Sequence, residues 1–175
     1  MTEALRTSLA AESRGWRQIK APPGAWMTLE FLVHKGLTCH PQPLPARYPH
    51  MMPKACFQNA AQLVRSRSGL RFCEGYIVRD SFPLRFLHAW AIDREDRVID
   101  PTLEEPERYE YIGYPMSLAK RRRWIKPPHN ISVLDTGAGV NFKFMLSEYP
   151  ELIDLIDLEY RSFIERKIGD KGDRL

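Results

Sequence analysis

The spacing of apolar residues changes several times in the first 70 residues, and each change predicts a different element. Apolar and polar residues alternate over residues 27–33, which predicts a β-strand. Five prolines lie within residues 41–53 and predict an extended surface loop, because proline fixes φ and lacks a backbone donor. From Lys54 to Gly69 the apolar residues recur every three or four positions. This spacing predicts a helix with Cys56 in its first turn.

A set of extended segments follows this helix. Residues 70–79 and 85–93 are strand-like, and a polar turn at residues 94–96 precedes a further extended run over residues 97–100. These segments predict an antiparallel meander, since short turns join antiparallel neighbours. A short strand is also predicted over residues 109–114.

The remaining segments are predicted to be mostly helical. Apolar residues three or four positions apart predict a helix over residues 2–13, a basic helix over residues 116–126 and a long helix that begins at Pro150. Residues 136–139 are predicted to form a loop. A helix followed by an antiparallel sheet and further helices predicts the α+β class. We expect one domain over residues 1–175, with residues 1–20 as a loosely attached N-terminal arm.

The composition is that of an ordinary globular domain and argues against a membrane-spanning protein. The chain has 175 residues, of which 43% are hydrophobic and 27% charged, as in ordinary globular domains. The net charge of +4 is too small to indicate nucleic-acid binding by itself. No apolar run reaches the ~20 residues of a membrane-spanning helix. Three cysteines cannot all pair within one chain, so we expect a reducing compartment and a cytoplasmic protein.

Three residues have the pattern that nucleophilic thiol chemistry needs. A thiol attacks as its thiolate, which a helix N-terminus and a neighbouring histidine both stabilise. Cys56 has the helix position, and His88 lies on the predicted strand over residues 85–93. Asp100 ends the next strand and can orient the histidine across the hairpin. Each residue also has an ordinary structural reading: a packed thiol, a core histidine and a turn-opening aspartate.

Four short segments around these residues resemble the transglutaminase-like branch of the papain-like cysteine enzymes. They lie between about residues 53 and 102, under a third of the chain, and are Cys56-Phe57-Gln58-Asn59-Ala60, Cys73-Glu74-Gly75-Tyr76, His88-Ala89-Trp90 and Val98-Ile99-Asp100-Pro101-Thr102. The resemblance implies that Cys56 is the nucleophile, His88 the general base and acid, and Asp100 the residue that orients it.

The resemblance also implies a reaction class. It predicts an amide or peptide hydrolase, a deamidase or a transglutaminase-like transferase that works through a Cys56 thioester, without a cofactor or metal. Protein, peptide or small amide substrates would fit. Papain-like enzymes often place a glutamine shortly before the cysteine, whereas here Gln42 lies farther upstream in the proline-rich loop. The oxyanion donor therefore stays unassigned, with the Cys56 N–H as one candidate.

Three residues close in sequence to Cys56, His88 and Asp100 are candidates for substrate binding. These are Trp90, Glu74 and Asn59. For Trp90 a core position is the alternative to a substrate platform, and Glu74 could instead face solvent. Cys39 and His40 lack the ligand spacing of a structural zinc site, so no metal is predicted.

A basic segment supports a different function. Residues 120–126 contain five cations and a tryptophan, which can grip phosphates and stack on a base. The candidate binding residues are Lys120, Arg121, Arg122 and Arg123. On this alternative the chain is a non-catalytic binding module of the same fold for nucleic acid or an acidic protein. A solvated helix face, paired with acids of the C-terminal helix, is the structural explanation.

Overall fold

The computed structural model describes residues 2–80, 82–125, 132–135 and 141–169. The predicted loop over residues 136–139 and Lys126 of the basic segment lie outside these residues. The elements in chain order are α1 (Thr2–Gln18), α2 (Met27–Lys35), β1 (Leu37–Cys39), α3 (Cys56–Ser66), β2 (Arg71–Arg79), β3 (Phe82–Ile92), β4 (Val98–Ile99), β5 (Tyr109–Met116), α4 (Leu118–Trp124), α5 (Phe142–Glu148) and α6 (Leu158–Gly169).

The five strands form one antiparallel sheet in the order β1-β5-β2-β3-β4. The predicted meander is therefore present as β2-β3-β4, and β5 enters between β1 and β2. The sheet curls until its two outer strands meet. His40, which follows β1, donates its backbone N–H to Asp96 and accepts a hydrogen bond from the backbone N–H of Val98. The predicted α+β class is confirmed.

The curled sheet separates two apolar clusters. Its outer face packs against α1, α2, α3 and α5, and the buried residues there include Phe31, Phe57, Phe72 and Phe144. Its inner face holds a second cluster of side chains from all five strands. These residues are Cys39, Cys73, Ile77, Trp90, Ile92, Val98 and Tyr111. The hairpin that carries His88 thus lies between two packed layers.

The predicted strand over residues 27–33 is wrong, since this segment belongs to helix α2. The alternation does not mark a sheet face, because consecutive residues from Met27 to Leu32 are all buried. Glu30 is among them, and it accepts a hydrogen bond from the Ser13 hydroxyl at 2.5 Å. A helix enclosed on nearly every side has no polar face for periodicity to detect.

Other boundaries differ from the predicted ones. The long helix expected from Pro150 is divided into a 3-10 turn (Pro150–Leu155) and α6. The N-terminal helix extends to Gln18, and its Leu5 and Leu9 are buried in the core. The basic helix is shorter than expected, and β5 is longer. Within the described ranges, no helix combines the length and the apolar character needed to cross a membrane.

Candidate active site

Cys56 is the first residue of α3 and lies at the end of a tight turn. Lys54 has a φ of 63°, in the left-handed region that non-glycine residues rarely adopt. This turn ends the proline-rich loop. The helix therefore begins two residues later than predicted, so that Cys56 is its first residue. Phe57 and Ala60 pack on the outer face of the sheet, whereas the Cys56 side chain is only partly buried. The helix therefore presents a thiol beside its unpaired N–H groups.

His88 and Asp100 meet across the hairpin formed by β3 and β4. The register pairs Ala91 with Ile99, and Asp100 follows directly. The Nε2 atom of His88 lies 2.7 Å from Oδ2 of Asp100. His88 is 6% exposed and Asp100 is fully buried, so water competes little for this hydrogen bond. The predicted contact between the histidine and the aspartate is present in the structure.

The charge state of His88 follows from its two neighbours. Burial alone would lower its pKa, because a low dielectric disfavours the charged ring. The hydrogen bond to Asp100, the hydrogen bond to Cys56 and the charges of both groups outweigh burial and raise the pKa of His88 from 6.5 to about 9. The imidazole thus lies between the thiol and the carboxylate, and it carries a proton at neutral pH.

Asp100 has two further hydrogen-bond donors that hold it in place. The backbone N–H of Thr102 donates to Oδ1 at 3.0 Å, and the Tyr111 hydroxyl donates to Oδ2 at 3.2 Å. Sequence reasoning did not find Tyr111, which lies on β5. No local signal could have found it, because the contact depends on where β5 enters the sheet. Burial and the neighbouring Asp100 charge raise the pKa of Tyr111, so its hydroxyl stays protonated and donates.

Trp90 is a packed residue of the inner face. Its ring is fully buried, edge-on to Tyr111 at 5.0 Å between centroids and 6.2 Å from the His88 ring. Gly113 makes room for it, because a Cβ at this position would lie 2.6 Å from Cη2 of Trp90. The indole nitrogen has no hydrogen-bond partner in the described part of the chain. Trp90 thus packs beside His88 in the core, which is the alternative to a substrate platform.

Asn59 connects α3 to the segment that follows β4. Its side-chain nitrogen donates to the Met52 carbonyl at 2.7 Å and to the Thr102 hydroxyl at 3.0 Å. Both amide protons are thus used within the protein, and the residue is buried. Since Thr102 also holds Asp100, Asn59 fixes the position of Cys56 relative to the carboxylate. The structure places Asn59 inside the protein, between α3 and the segment that contains Asp100 and Thr102.

Glu74 lies on the opposite face of the sheet from His88. Gly75 pairs with His88, so the side chain of the preceding residue points to the helical layer. The fully buried carboxylate accepts hydrogen bonds from the Ser132 hydroxyl and from the backbone N–H groups of Val133 and Leu134. Burial raises the pKa of Glu74, and these donors oppose the rise. Glu74 therefore anchors residues 132–134, and its carboxylate oxygens are occupied by these donors within the protein.

The upstream glutamine is also occupied within the protein. The Gln42 side-chain nitrogen donates to the Val98 carbonyl at 3.0 Å and seats the proline-rich loop along β4. The same loop is tied down near Asp100 by the Met51 N–H, which donates to the Pro101 carbonyl at 2.7 Å. Gln42 thus stabilises the loop that leads to Cys56.

Two of the four predicted basic residues are partly buried, and the other two are exposed. Lys120 donates to Glu148 at 2.5 Å and to the Tyr114 hydroxyl at 2.9 Å. The Arg121 guanidinium lies 4.7 Å above the Phe72 ring. Arg122 and Arg123 are exposed. The acidic partner of Lys120 is Glu148 on α5, whereas the sequence analysis expected partners on the C-terminal helix.

The other two cysteines differ from Cys56 in burial. Cys39 and Cys73 are fully enclosed in the inner cluster, and burial together with the neighbouring Cys39 raises the pKa of Cys73 well above its usual range. Among residues 2–80, 82–125, 132–135 and 141–169, no three histidine, cysteine or acidic side chains are grouped to hold a metal ion. Cys56 is thus the accessible thiol of the three.

Comparison with known proteins gave no assignment. A scan against protein-family models found no match, and neither did searches of curated proteins and of solved structures. A function can therefore be inferred only from the geometry of Cys56, His88 and Asp100.

Proposed function

We propose that this protein is a thiol-dependent acyl-transfer enzyme with Cys56 as its nucleophile. The observation that carries the proposal is the position of His88, which contacts Asp100 through Nε2 and interacts with Cys56. A histidine with one nitrogen committed to a carboxylate has its other nitrogen, Nδ1, available for the thiol. The arrangement also agrees with the resemblance to transglutaminase-like and papain-like enzymes.

The chemistry follows from the protonated histidine. The Cys56 thiolate attacks the carbonyl carbon of an amide, a C–S bond forms, and the carbonyl electron pair moves to oxygen. The N-terminal N–H groups of α3 are oriented to stabilise that oxyanion. When the intermediate collapses, the C–N bond breaks and His88 transfers its proton to the departing nitrogen. The products are a thioester on Cys56, a free amine and a neutral imidazole.

The second half of the reaction restores the starting state. Water or a primary amine attacks the thioester, and its proton passes to His88. The C–S bond breaks, the thiolate leaves, and the thiolate–imidazolium pair forms again. Water gives hydrolysis or deamidation, and an amine gives transfer. Both outcomes use the same three residues and need no cofactor, so the acceptor distinguishes a hydrolase from a transferase.

The rate of Cys56 alkylation by iodoacetamide, measured across pH, tests this proposal. A free thiol ionises near pH 8.5, so its rate at pH 6.5 is about one hundredth of its maximum. We expect wild-type Cys56 to keep most of its rate at pH 6.5 and the His88→Asn variant to follow the free-thiol profile. Mass spectrometry after digestion identifies the alkylated residue, with the buried Cys39 and Cys73 as internal references.

Two comparisons complete the experiment. Cys56→Ser removes the signal and shows that the other thiols do not contribute. Asp100→Asn keeps the size of the side chain but removes the charge that holds His88 protonated, so its profile should move toward that of His88→Asn. A wild-type profile that coincides with the His88→Asn profile would show that no ion pair forms and would refute the proposed enzyme.

A further inference from the structure

Three large apolar side chains are exposed on the strand that carries His88. Phe82, Leu84 and Phe86 are 48%, 58% and 46% exposed, respectively. They occupy alternate positions of β3, as His88 does, and together we call them the β3 ridge. Contiguous exposed apolar side chains are uncommon on a soluble surface and often mark a binding site.

The register places two residues of the ridge, Phe82 and Phe86, on the same face of the sheet as His88. Phe86 pairs with Ile77, a residue of the inner cluster, and His88 pairs with Gly75 two positions along β2. Because residues two apart on a strand share a face, Phe86 is about 7 Å along the strand from the histidine. The ridge is therefore continuous with the candidate active site.

A bulge makes the ridge compact. The pairing shifts between Val78 and Arg79, which oppose Arg85 and Phe82. This shift brings the Phe82 and Phe86 rings to 6.4 Å between centroids, nearly parallel at 15°. Bulges of this kind redirect side chains next to functional sites. The two rings form a stacked apolar surface that two isolated side chains would not provide.

The same strand has an edge without a strand partner. β4 pairs with Ala91 and Ile92 only, so within the described ranges Phe82 and residues 85–90 of β3 pair with β2 alone. An open edge accepts an extended peptide through backbone hydrogen bonds, and alternate side chains of that peptide then lie on one face. Phe86, two positions from His88 along β3, lies on the face that such side chains would share.

The charges around the ridge are already paired. Arg85 contacts Glu12, Arg79 contacts Glu105, and Arg108 contacts Asp80. Charged side chains that are engaged in this way do not favour an acidic or a basic ligand. The remaining recognition element is apolar.

We propose that the β3 ridge is the substrate subsite and that it binds a large apolar side chain of an extended polypeptide, beside the amide that Cys56 attacks. This inference depends on the proposed function and names its substrate class. An extended polypeptide is the occupant that uses both features, the open edge and the exposed apolar side chains beside it. A small apolar amide would use the two rings but not the edge.

Peptidyl vinyl sulfones that differ in one side chain test the inference. The thiolate adds to the vinyl carbon, so the rate of Cys56 modification reports binding beside the thiol. Each rate is divided by the iodoacetamide rate of the same protein. We expect a tetrapeptide reagent with phenylalanine next to the electrophile to react at least about tenfold faster than its glycine counterpart. A phenylalanine reagent without the further residues should lose part of that preference.

Variants of the ridge identify the surface responsible. Phe82→Ser with Phe86→Ser should abolish the preference for phenylalanine, and Phe86→Leu should keep most of it. Leu158→Ser, at a side chain that is 80% exposed on α6, is the matched control and should keep it fully. Equal thermal unfolding midpoints would show that the variants are folded, as expected for exposed side chains.

The outcomes separate this inference from the proposed function. If Cys56 shows the low-pH iodoacetamide reactivity but phenylalanine and glycine reagents react alike, the enzyme proposal stands and the subsite is refuted. If the short and long phenylalanine reagents react alike, the polypeptide is refuted and a small apolar amide is the substrate. If the serine variants convert a dimer to a monomer without changing the preference, the ridge is an interface between two copies, which also refutes the subsite.

Discussion

The Tyr111 hydroxyl donates to Oδ2 of Asp100, the same oxygen that lies 2.7 Å from the histidine ring. This contact links the middle of β5 to the end of β4 across the inner face of the sheet. The carboxylate is thus held by a side chain that does not touch the thiol. Together with the Thr102 N–H, this hydroxyl fixes the orientation of the Asp100 carboxylate toward His88.

Removing the Tyr111 hydroxyl should lower the stability of the fold but change the reactivity of Cys56 little. We expect Tyr111→Phe to lower the free energy of unfolding by about 1–2 kcal/mol, because a buried carboxylate loses one donor. The alkylation profile of Cys56 should change little, since the contact between Asp100 and His88 remains. Urea unfolding and iodoacetamide kinetics measure the two effects. Tyr109→Phe, on the same strand, is the control and should leave stability unchanged.

The proton on His88 predicts how stability depends on pH. Its folded pKa of about 9 exceeds the unfolded value of 6.5, so the histidine stabilises the fold fully below pH 6.5. That contribution is lost as pH rises toward 9 and amounts to at most about 3 kcal/mol. Urea unfolding of Cys56→Ser removes the titration of the thiol, because serine does not titrate. The variant also loses the contribution of Cys56 to the raised pKa of His88, whereas that of Asp100 remains. Its free energy of unfolding should therefore still fall as pH rises above 6.5, by less than this limit, and a flat profile would contradict the assigned proton.

The thiol alters that dependence in the wild type. If Cys56 has already lost its proton in the folded state, the unfolded chain gains a thiol proton as it loses the histidine proton between pH 6.5 and 8.5. The two changes oppose each other, so the wild-type profile should be flatter than that of Cys56→Ser. Parallel profiles would mean that the folded thiol is protonated.

Asn59 should act as a positioning residue. We expect Asn59→Ala to lower the free energy of unfolding by about 2–3 kcal/mol, because the Met52 carbonyl and the Thr102 hydroxyl lose a buried donor. Cys56 should also shift toward the free-thiol alkylation profile, since α3 is no longer tied to the segment that holds Asp100. Gln58→Ala, at an exposed position of the same helix, should change neither quantity.

Gly113 should be required for the packing of Trp90 beside His88. A Cβ at Gly113 would lie 2.6 Å from the Trp90 ring and 2.9 Å from the Cys73 sulfur. We expect Gly113→Ala to destabilise the protein by about 1–3 kcal/mol, the usual cost of overpacking. Gly15, in α1, has no neighbour within 4 Å of an added Cβ, so Gly15→Ala should stabilise by up to about 1 kcal/mol. Thermal unfolding distinguishes the two signs.

The basic helix should contribute more to folding than to nucleic-acid binding. Lys120→Met should cost about 1 kcal/mol because it breaks a partly buried contact with Glu148, and Arg122→Met should cost almost nothing. Two exposed arginines can release only about two counterions, so oligonucleotide affinity should fall with salt with a log–log slope near −2. A much steeper slope would support the alternative of a nucleic-acid-binding module.

The hairpin at the centre of the site could be predicted from the sequence. Alternation over β2 and β3 identifies both strands, and the polar turn at residues 94–96 brings His88 and Asp100 within reach across the ladder. The spacing of α3 likewise identified the helix that starts at Cys56. These features are local in the chain, so local patterns carry them.

The rest depends on contacts between distant segments. α2 is buried on nearly every side, so its pattern did not indicate a helix. The position of β5, and with it the contact between Tyr111 and Asp100, is set by packing against β1 and β2. The strand predicted over residues 85–93 in fact begins at Phe82, on the other side of the bulge. Pairing register of this kind has no local signature.

The strand order has a consequence for how the protein is made. Cys56, His88 and Asp100 all precede β5 in the chain, yet β5 lies between β1 and β2 and supplies Tyr111 and Gly113. A nascent chain that ends before Tyr109 therefore contains all three residues but not the strand that lies between β1 and β2. We expect these three side chains to reach their final arrangement only after β5 has been synthesised.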